Sequence, residues 1–316
     1  MENRVYGVLG ISSIMANWNA DFTGYPKTIS DGETFGSDKA FKYPIKKGWD
    51  NSGEKVLYIK SMKFSEDKKK NITLVPKSLK ERYEYIFGVK DLKECKDSRE
   101  VLTNLFKAID VKNFGATFAE AGNNFSITGA VQIGQGFNKY NETNAEEQQI
   151  LSPFRDSSKD NAKEDSEEAK NSTLGSKIVS DEAHYFYPFT INPLAYKEFI
   201  ELGVTDGYTE EDYQKFKKAS LVSATSFATN SKIGCENEFG LFVETEKDLY
   251  LPNLDKYIEF EKGEDKNTIN INCGDLINSL KGKIKKIEIY YNPYTTEIKT
   301  DIEGAKTYNI FTQEEV

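Results

Sequence analysis

The first patterned segment, "RVYGVLGISSIM", alternates only weakly between apolar and polar positions and predicts a buried first strand. Strand-type patterning returns in "EKVLYIKSMKF", "VKNFGATFAE", "NNFSITGAVQIGQ", "AHYFYPFTINP", "EFGLFVETE" and "KIKKIEIYYN". The turn signal "AGNN" joins the second and third of these as a hairpin. Helical periodicity appears in "SLKERYEYIFG", in "SREVLTNLFKAI" with Ser98 as cap, and in "TEEDYQKFKKASLVSATSF" with Thr209 as cap. "SDKAFKYPIKKGW" predicts a basic helix capped by Ser37 and limited or kinked by Pro44. The total is about six strands and four helices in uneven alternation. Two strand-helix-strand passes around one antiparallel sheet predict an α+β fold with a modified ferredoxin-like core, the architecture of the RNA recognition motif.

Two segments break the pattern. The long loop "ANWNADFTGYPKTISDGETFG" carries Trp18, Phe22 and Tyr25, and loops of that length without structure of their own are functional or disordered. The stretch 137–180 is poor in apolar residues and rich in charge, and reads as an insertion that is mobile or ordered by a partner.

With 316 residues, 38% of them hydrophobic, the chain can bury a sizeable core. We expect a single domain spanning 1–316, interrupted by the acidic insertion at 137–180. The net charge of −9 argues against a plain nucleic-acid binder, but it is unevenly spread. Residues 27–80 hold 13 lysines against 7 acids, whereas residues 141–182 hold 5 basic residues against 11 acids. Such segregation permits a basic groove on an acidic protein, although ordinary solvated surface gives the same counts. Cys95, Cys235 and Cys273 are far apart, which suits a reducing cytoplasm and offers neither a zinc site nor a disulfide framework. The first residues read as a strand and not as a signal peptide, and no segment approaches the length of a membrane span.

"FSITGAVQIGQG" (125–136) spaces glycines among small polar residues. No Gly-Lys-Ser/Thr follows, so it is not a P-loop, and its alternation is that of a strand. Two readings stand: a glycine strand against which another backbone packs, or one against which a phosphate backbone lies.

At this point four stretches resemble a known family. They are "GVLGISSIMANWNADFTGYPKTISDGETFGSDKAFKYPIKKGW", "NFGATFAEAGNNFSITGAVQIGQG", "STLGSK" followed by "HYFYPFTINP", and "SATSFATNSKIG". Together they are similar to the backbone subunit of type I CRISPR Cascade complexes, the seventh-numbered Cas family, most closely its type I-B branch. The resemblance implies an RNA-recognition-like palm with helical insertions and a protruding thumb, assigned to 137–180. It implies a protein that polymerises along the guide RNA and presents it for pairing with target DNA. The implied partners are that guide, target DNA reached through it, neighbouring copies of the chain and other Cascade subunits. Neither membrane nor cofactor, metal or catalysis is implied, and the location is cytoplasmic.

The residues fit that role. Lys39, Lys42, Lys46 and Lys47 cluster at helical spacing, and Lys27 precedes them, as a sequence-blind grip on phosphates requires. Asn17, Trp18, Asn19 and Phe22 offer amides and stacking rings. Ser126, Thr128, Gly129 and Gln132 would line an RNA backbone. Asn230, Ser231 and Lys232 suggest a second grip. Thr173, Gly175 and Lys177, with Phe154 or Arg155, would be the RNA-facing edge of the thumb.

Two rivals remain. Type III relatives cleave RNA with a loop aspartate and a metal, and Asp21, Asp31 and Asp38 occupy the matching loop region. A self-assembling protein without nucleic acid would also suit the composition. The single histidine, His184, lies on a predicted strand without a placed partner and reads as packing.

Overall fold

A computed structural model describes residues 1–151 and 174–316. Among these residues lie sixteen strands and seven helices. The first strand, β1 (Arg4–Ala16), is flanked on both sides by antiparallel partners, β10 (Leu174–Ile191) and β11 (Cys235–Thr245). The sheet continues beyond β11 through β14 (Ile284–Tyr291) to β16 (Lys306–Asn309), and beyond β10 through β8 (Gly136–Asn138) to β2 (Phe35–Gly36). β7 (Val131–Ile133) and β9 (Ala145–Leu151) also pair with β10.

The weak alternation of β1 has a direct cause: both faces of the sheet are buried. Val5, Leu9 and Ile11 point into a core beneath α1 (Asp38–Asn51) and α6 (Glu210–Ser226), with Phe41, Ile45, Trp49, Tyr187 and Phe242. Tyr6 and Val8 point the other way, into a second core with Phe186, Phe239 and Leu241. That second face is closed by a small sheet of β12 (Ile258–Glu261), β13 (Asn267–Ile271) and β15 (Thr296–Thr300), through Phe260, Ile269 and Ile271. RNA recognition motifs leave this face of the sheet open to RNA. Here it is filled with apolar side chains, so that face is closed.

Other expectations need adjustment. The predicted strand 54–64 begins only at β3 (Met62–Glu66), which pairs with β4 (Ile72–Pro76). Upstream, Val56, Leu57 and Ile59 are buried without a ladder, because the Leu57 and Tyr58 amides donate to the Asp110 carboxylate. α2 (Leu79–Phe87) opens with a Ser78 capping box that the sequence reading had not singled out. α3 (Ser98–Lys107) is capped by Asp97, not Ser98. A short α4 (Ile109–Phe114) follows, so the predicted strand at 111 starts at β5 (Gly115–Glu120). α1 continues through Pro44. β5 pairs with β6 (Asn123–Thr128) as foreseen, through a turn with Ala121 at φ 52° and Gly122 at φ 85°. The short α5 (Lys197–Glu201) and α7 (Gly274–Ser279) complete the helices. The described ends of the acidic insertion form a ribbon, with β9 running antiparallel to residues 174–180 of β10.

Candidate nucleic-acid interface

The far end of β1 delivers the chain into the loop 17–36, and four elements converge there. Asn17 is buried; its Nδ2 donates to the carbonyls of Gly24 in the loop, 2.8 Å, and Ile178 in the β9–β10 ribbon, 3.2 Å. The Asn17 amide donates to the Ser231 carbonyl, 3.0 Å. Asn19 Oδ1 accepts from the Ser37 amide at the start of α1, 2.8 Å. Tyr25 donates to Glu147 of the ribbon, 3.0 Å. The loop is therefore clamped to ribbon, helix and the 229–234 turn by its own polar groups.

Trp18 is packed inside the protein. It is 1% exposed, packs against Phe41 and donates from Nε1 to the Tyr187 hydroxyl, 2.5 Å. It is the core plug beneath the loop. Phe22 is the reverse case: it is 99% exposed on a turn built by Asp21, whose carboxylate accepts the Thr23 and Tyr25 amides. Lys232 is spent largely on the protein. Its ammonium lies 5.6 Å above the Trp18 ring and donates to the Asn17 and Trp18 carbonyls, 2.5 Å each, and burial lowers its pKa. Asn230 and Ser231 beside it are exposed, and Lys27 is partly exposed.

The α1 lysines divide by direction. Lys39 is exposed. Lys42 and Lys46 lie over the Phe114 ring, at 5.4 and 5.8 Å. Lys42 pairs with Asp38, 2.8 Å. Lys46 faces the fully buried Asp110 across 4.0 Å; burial lowers the lysine's pKa and raises the aspartate's. Lys47 turns away to Asp50, 3.1 Å. Lys46 and Lys47 are thus committed to internal partners, while Lys39 and the rim of Lys42 face outward.

Beside Lys46, the Tyr58 hydroxyl donates to the Thr117 carbonyl, 2.6 Å, which carries the surface onto the β5–β6 hairpin. Ser126 and Thr128 are exposed there, opposite Thr117 and Gly115. Gln132 is exposed and donates to the Gly129 carbonyl, 2.8 Å. The glycines of this stretch answer to packing. A Cβ on Gly129 would collide with the Phe114 and Gly115 backbone, one on Gly134 with Pro188, and one on Gly136 with the Tyr187 ring. Gly175 is exposed, and Lys177 is partly exposed on the ribbon opposite Gln148. Thr173, Phe154 and Arg155 lie outside the described residues.

Asp21, Asp31 and Asp38 do separate local work: a turn, the Glu33 amide and the Lys42 pair. Among the described residues no three His, Cys, Asp or Glu side chains converge as a metal requires. Among the described residues no helix is long and apolar enough to cross a membrane. His184 is not idle packing: both ring nitrogens face carboxylates, Glu238 at 2.8 Å and Glu182 at 3.0 Å. Tyr43 on α1 and Phe227 at the end of α6 form a further aromatic edge beside Trp18, with ring centroids 5.5 Å apart. Sequence reasoning passed over both, although Tyr43 stands among the α1 lysines and Phe227 inside "SATSFATNSKIG".

Residues 3–277 match the family described as CRISPR-associated protein Cas7. The chain belongs to that family. It is a CRISPR RNA-binding backbone subunit. A solved chain described as "CRISPR RNA-guided surveillance complex, pre-nicking" shares the fold at TM-score 0.54, with 13% identity over 97% of this chain and 96% of that one. None of the curated proteins matches. The Cas7 chain described here thus has the mixed α+β architecture of that relative.

Proposed function

We propose that this subunit is the non-catalytic backbone of a type I surveillance complex, of the I-B branch, that polymerises along guide RNA and leaves its bases free to pair with target DNA. The single observation that carries the reading is the family match over residues 3–277. The sheet order β11–β1–β10–β8, with α1 and α6 on one face, supports a ferredoxin-like palm. The β9–β10 ribbon supports a thumb rooted in 137–180. The guide runs past the end of β1, over the exposed Lys39, Asn230 and Ser231 and along Thr128 and Ser126. Phosphate contact without base readout suits a guide whose sequence changes with every spacer. Neighbouring copies and other complex subunits complete the assembly, in the cytoplasm.

The test is expression with a CRISPR array, followed by the 260/280 nm absorbance ratio of the purified oligomer and sequencing of its RNA. Repeat-spacer RNA of defined length is the expected result. A nucleic-acid-free assembly that ignores added guide RNA would leave a protein that assembles by itself and overturn the reading.

A further inference from the structure

Between α1 and α6 runs an open groove of about 270 Å3. Ile45, Gly48 and Trp49 of α1 face Ala219, Val222 and Ser223 of α6 across it. Three of its features have no use among the described residues. A glycine destabilises a helix relative to alanine, yet the φ of Gly48 is not positive and nothing lies within 4 Å of where its Cβ would stand. Neither backbone conformation nor packing in this chain asks for a glycine there. Ser223 is 2% exposed, and its hydroxyl finds no hydrogen-bond partner among the described residues. On the same stretch of α6, Lys215 pairs with Glu54 and Glu211, and Lys217 with Glu288. Lys218, exposed at the rim of the groove, has no ion pair among the described residues.

We propose that this groove docks an amphipathic helix of another protein, with its apolar stripe against Trp49 and Val222 and an acidic residue beside that stripe paired with Lys218. The lining residues recur three and four apart on both helices, so the groove follows the helix axes. A third helix lies along such a groove with all its backbone groups satisfied, whereas an extended strand would leave its ladder groups unpaired. The missing side chain at Gly48 lets the partner's backbone come close. Ser223 offers a hydrogen bond on the floor, and the unpaired Lys218 charge selects an acidic partner over a basic one. Two residues along a helix turn it by about 200°, so Gly48 faces away from Lys46. A docked helix therefore leaves the lysine face of α1 free for RNA.

The experiment displays helical peptides with a fixed leucine stripe and randomised flanking positions, and selects them on the full chain. Each recovered peptide is then titrated in solution and followed by the emission of Trp49, one of the chain's two tryptophans. Binders should carry Asp or Glu beside the stripe and shift that emission. They should fail to bind Gly48→Leu, whose side chain fills the groove; open space at Gly48 means that this variant melts no lower than wild type, which separates a blocked groove from a lost fold. Lys218→Glu should weaken the acidic peptides about tenfold and favour their basic counterparts. Added guide RNA should not compete. Recovery of no peptide whose binding depends on Gly48, or equal binding of acidic and basic versions, would overturn the docking site. Competition by guide RNA would give the groove to nucleic acid, and a changed oligomeric state of Gly48→Leu by itself would give it to a second copy; either result also overturns the proposal.

Discussion

His184 Nδ1 stands 2.8 Å from Glu238 Oε2, joining β10 to β11 inside the sheet. On its other side Nε2 meets Glu182, which also takes the Lys262 ammonium from beyond β12. Phe260 of β12 stacks on the imidazole at 3.7 Å, Tyr140 meets its edge, and Asn138 accepts its backbone amide. Only the imidazolium can donate from both nitrogens. Burial opposes that charge, but Glu238 and Glu182 outweigh it and raise the pKa above the usual 6.5. The histidine therefore staples the small sheet to the large one as a cation.

The sign of the pH dependence follows. A raised folded-state pKa gives stability that is complete below the unfolded value and lost as pH rises through the folded value. Thermal melting should show a decline as pH rises from the ordinary histidine value through the raised folded-state value, and His184→Gln should remove it. At neutral pH the variant should melt lower, since Glu238 loses its counter-charge while Glu182 keeps Lys262; breaking such a buried pair costs about 3–5 kcal/mol. Identical pH profiles for the two proteins would exclude the staple.

Charge removal on α1 should separate two kinds of lysine. Lys39→Ala, which breaks no ion pair among the described residues, should weaken guide binding and lower the salt slope by about 0.7 per lost phosphate contact. Lys46→Met should instead lower the melting temperature, because Asp110 loses the cation across 4.0 Å. Filter binding across a salt series, set beside melting curves, reads both.

The two loop aromatics should behave oppositely. Phe22→Ser should leave stability unchanged, as the ring is 99% exposed, and cost RNA affinity about 1–3 kcal/mol where it stacks on a base. Trp18→Phe should cost about 1–3 kcal/mol of stability by leaving the buried Tyr187 hydroxyl without its donor. A stable Trp18→Phe protein with weakened RNA binding would mean that the indole is not the plug described.

Gly129→Ala should destabilise by about 1–3 kcal/mol, since its Cβ has to displace backbone at Phe114 and Gly115. Gly48→Ala, in the interior of α1 with open space around its Cβ, should stabilise by about 1 kcal/mol. Chemical denaturation of the pair measures the contrast.

Local signals settled much of this protein from the sequence alone. The Ser37 and Thr209 caps, the β5–β6 turn, the span of β10 after 183 and the family resemblance were all legible, because caps, turns and motifs depend on residues close in the chain. The small sheet β12–β13–β15 was not legible, since its short strands gain their meaning only against Phe239 and Leu241. The direction of each α1 lysine was equally hidden. Helical spacing puts Lys39, Lys42 and Lys46 on one face, but Asp110 and Phe114, more than sixty residues away, decide which ammonium is spent inside. The same holds for Trp18, Lys232 and the glycine strand. Their chemistry allowed both ligand contact and packing, and the packing comes from partners elsewhere in the chain, Tyr187, the Asn17 carbonyl and the Phe114 backbone.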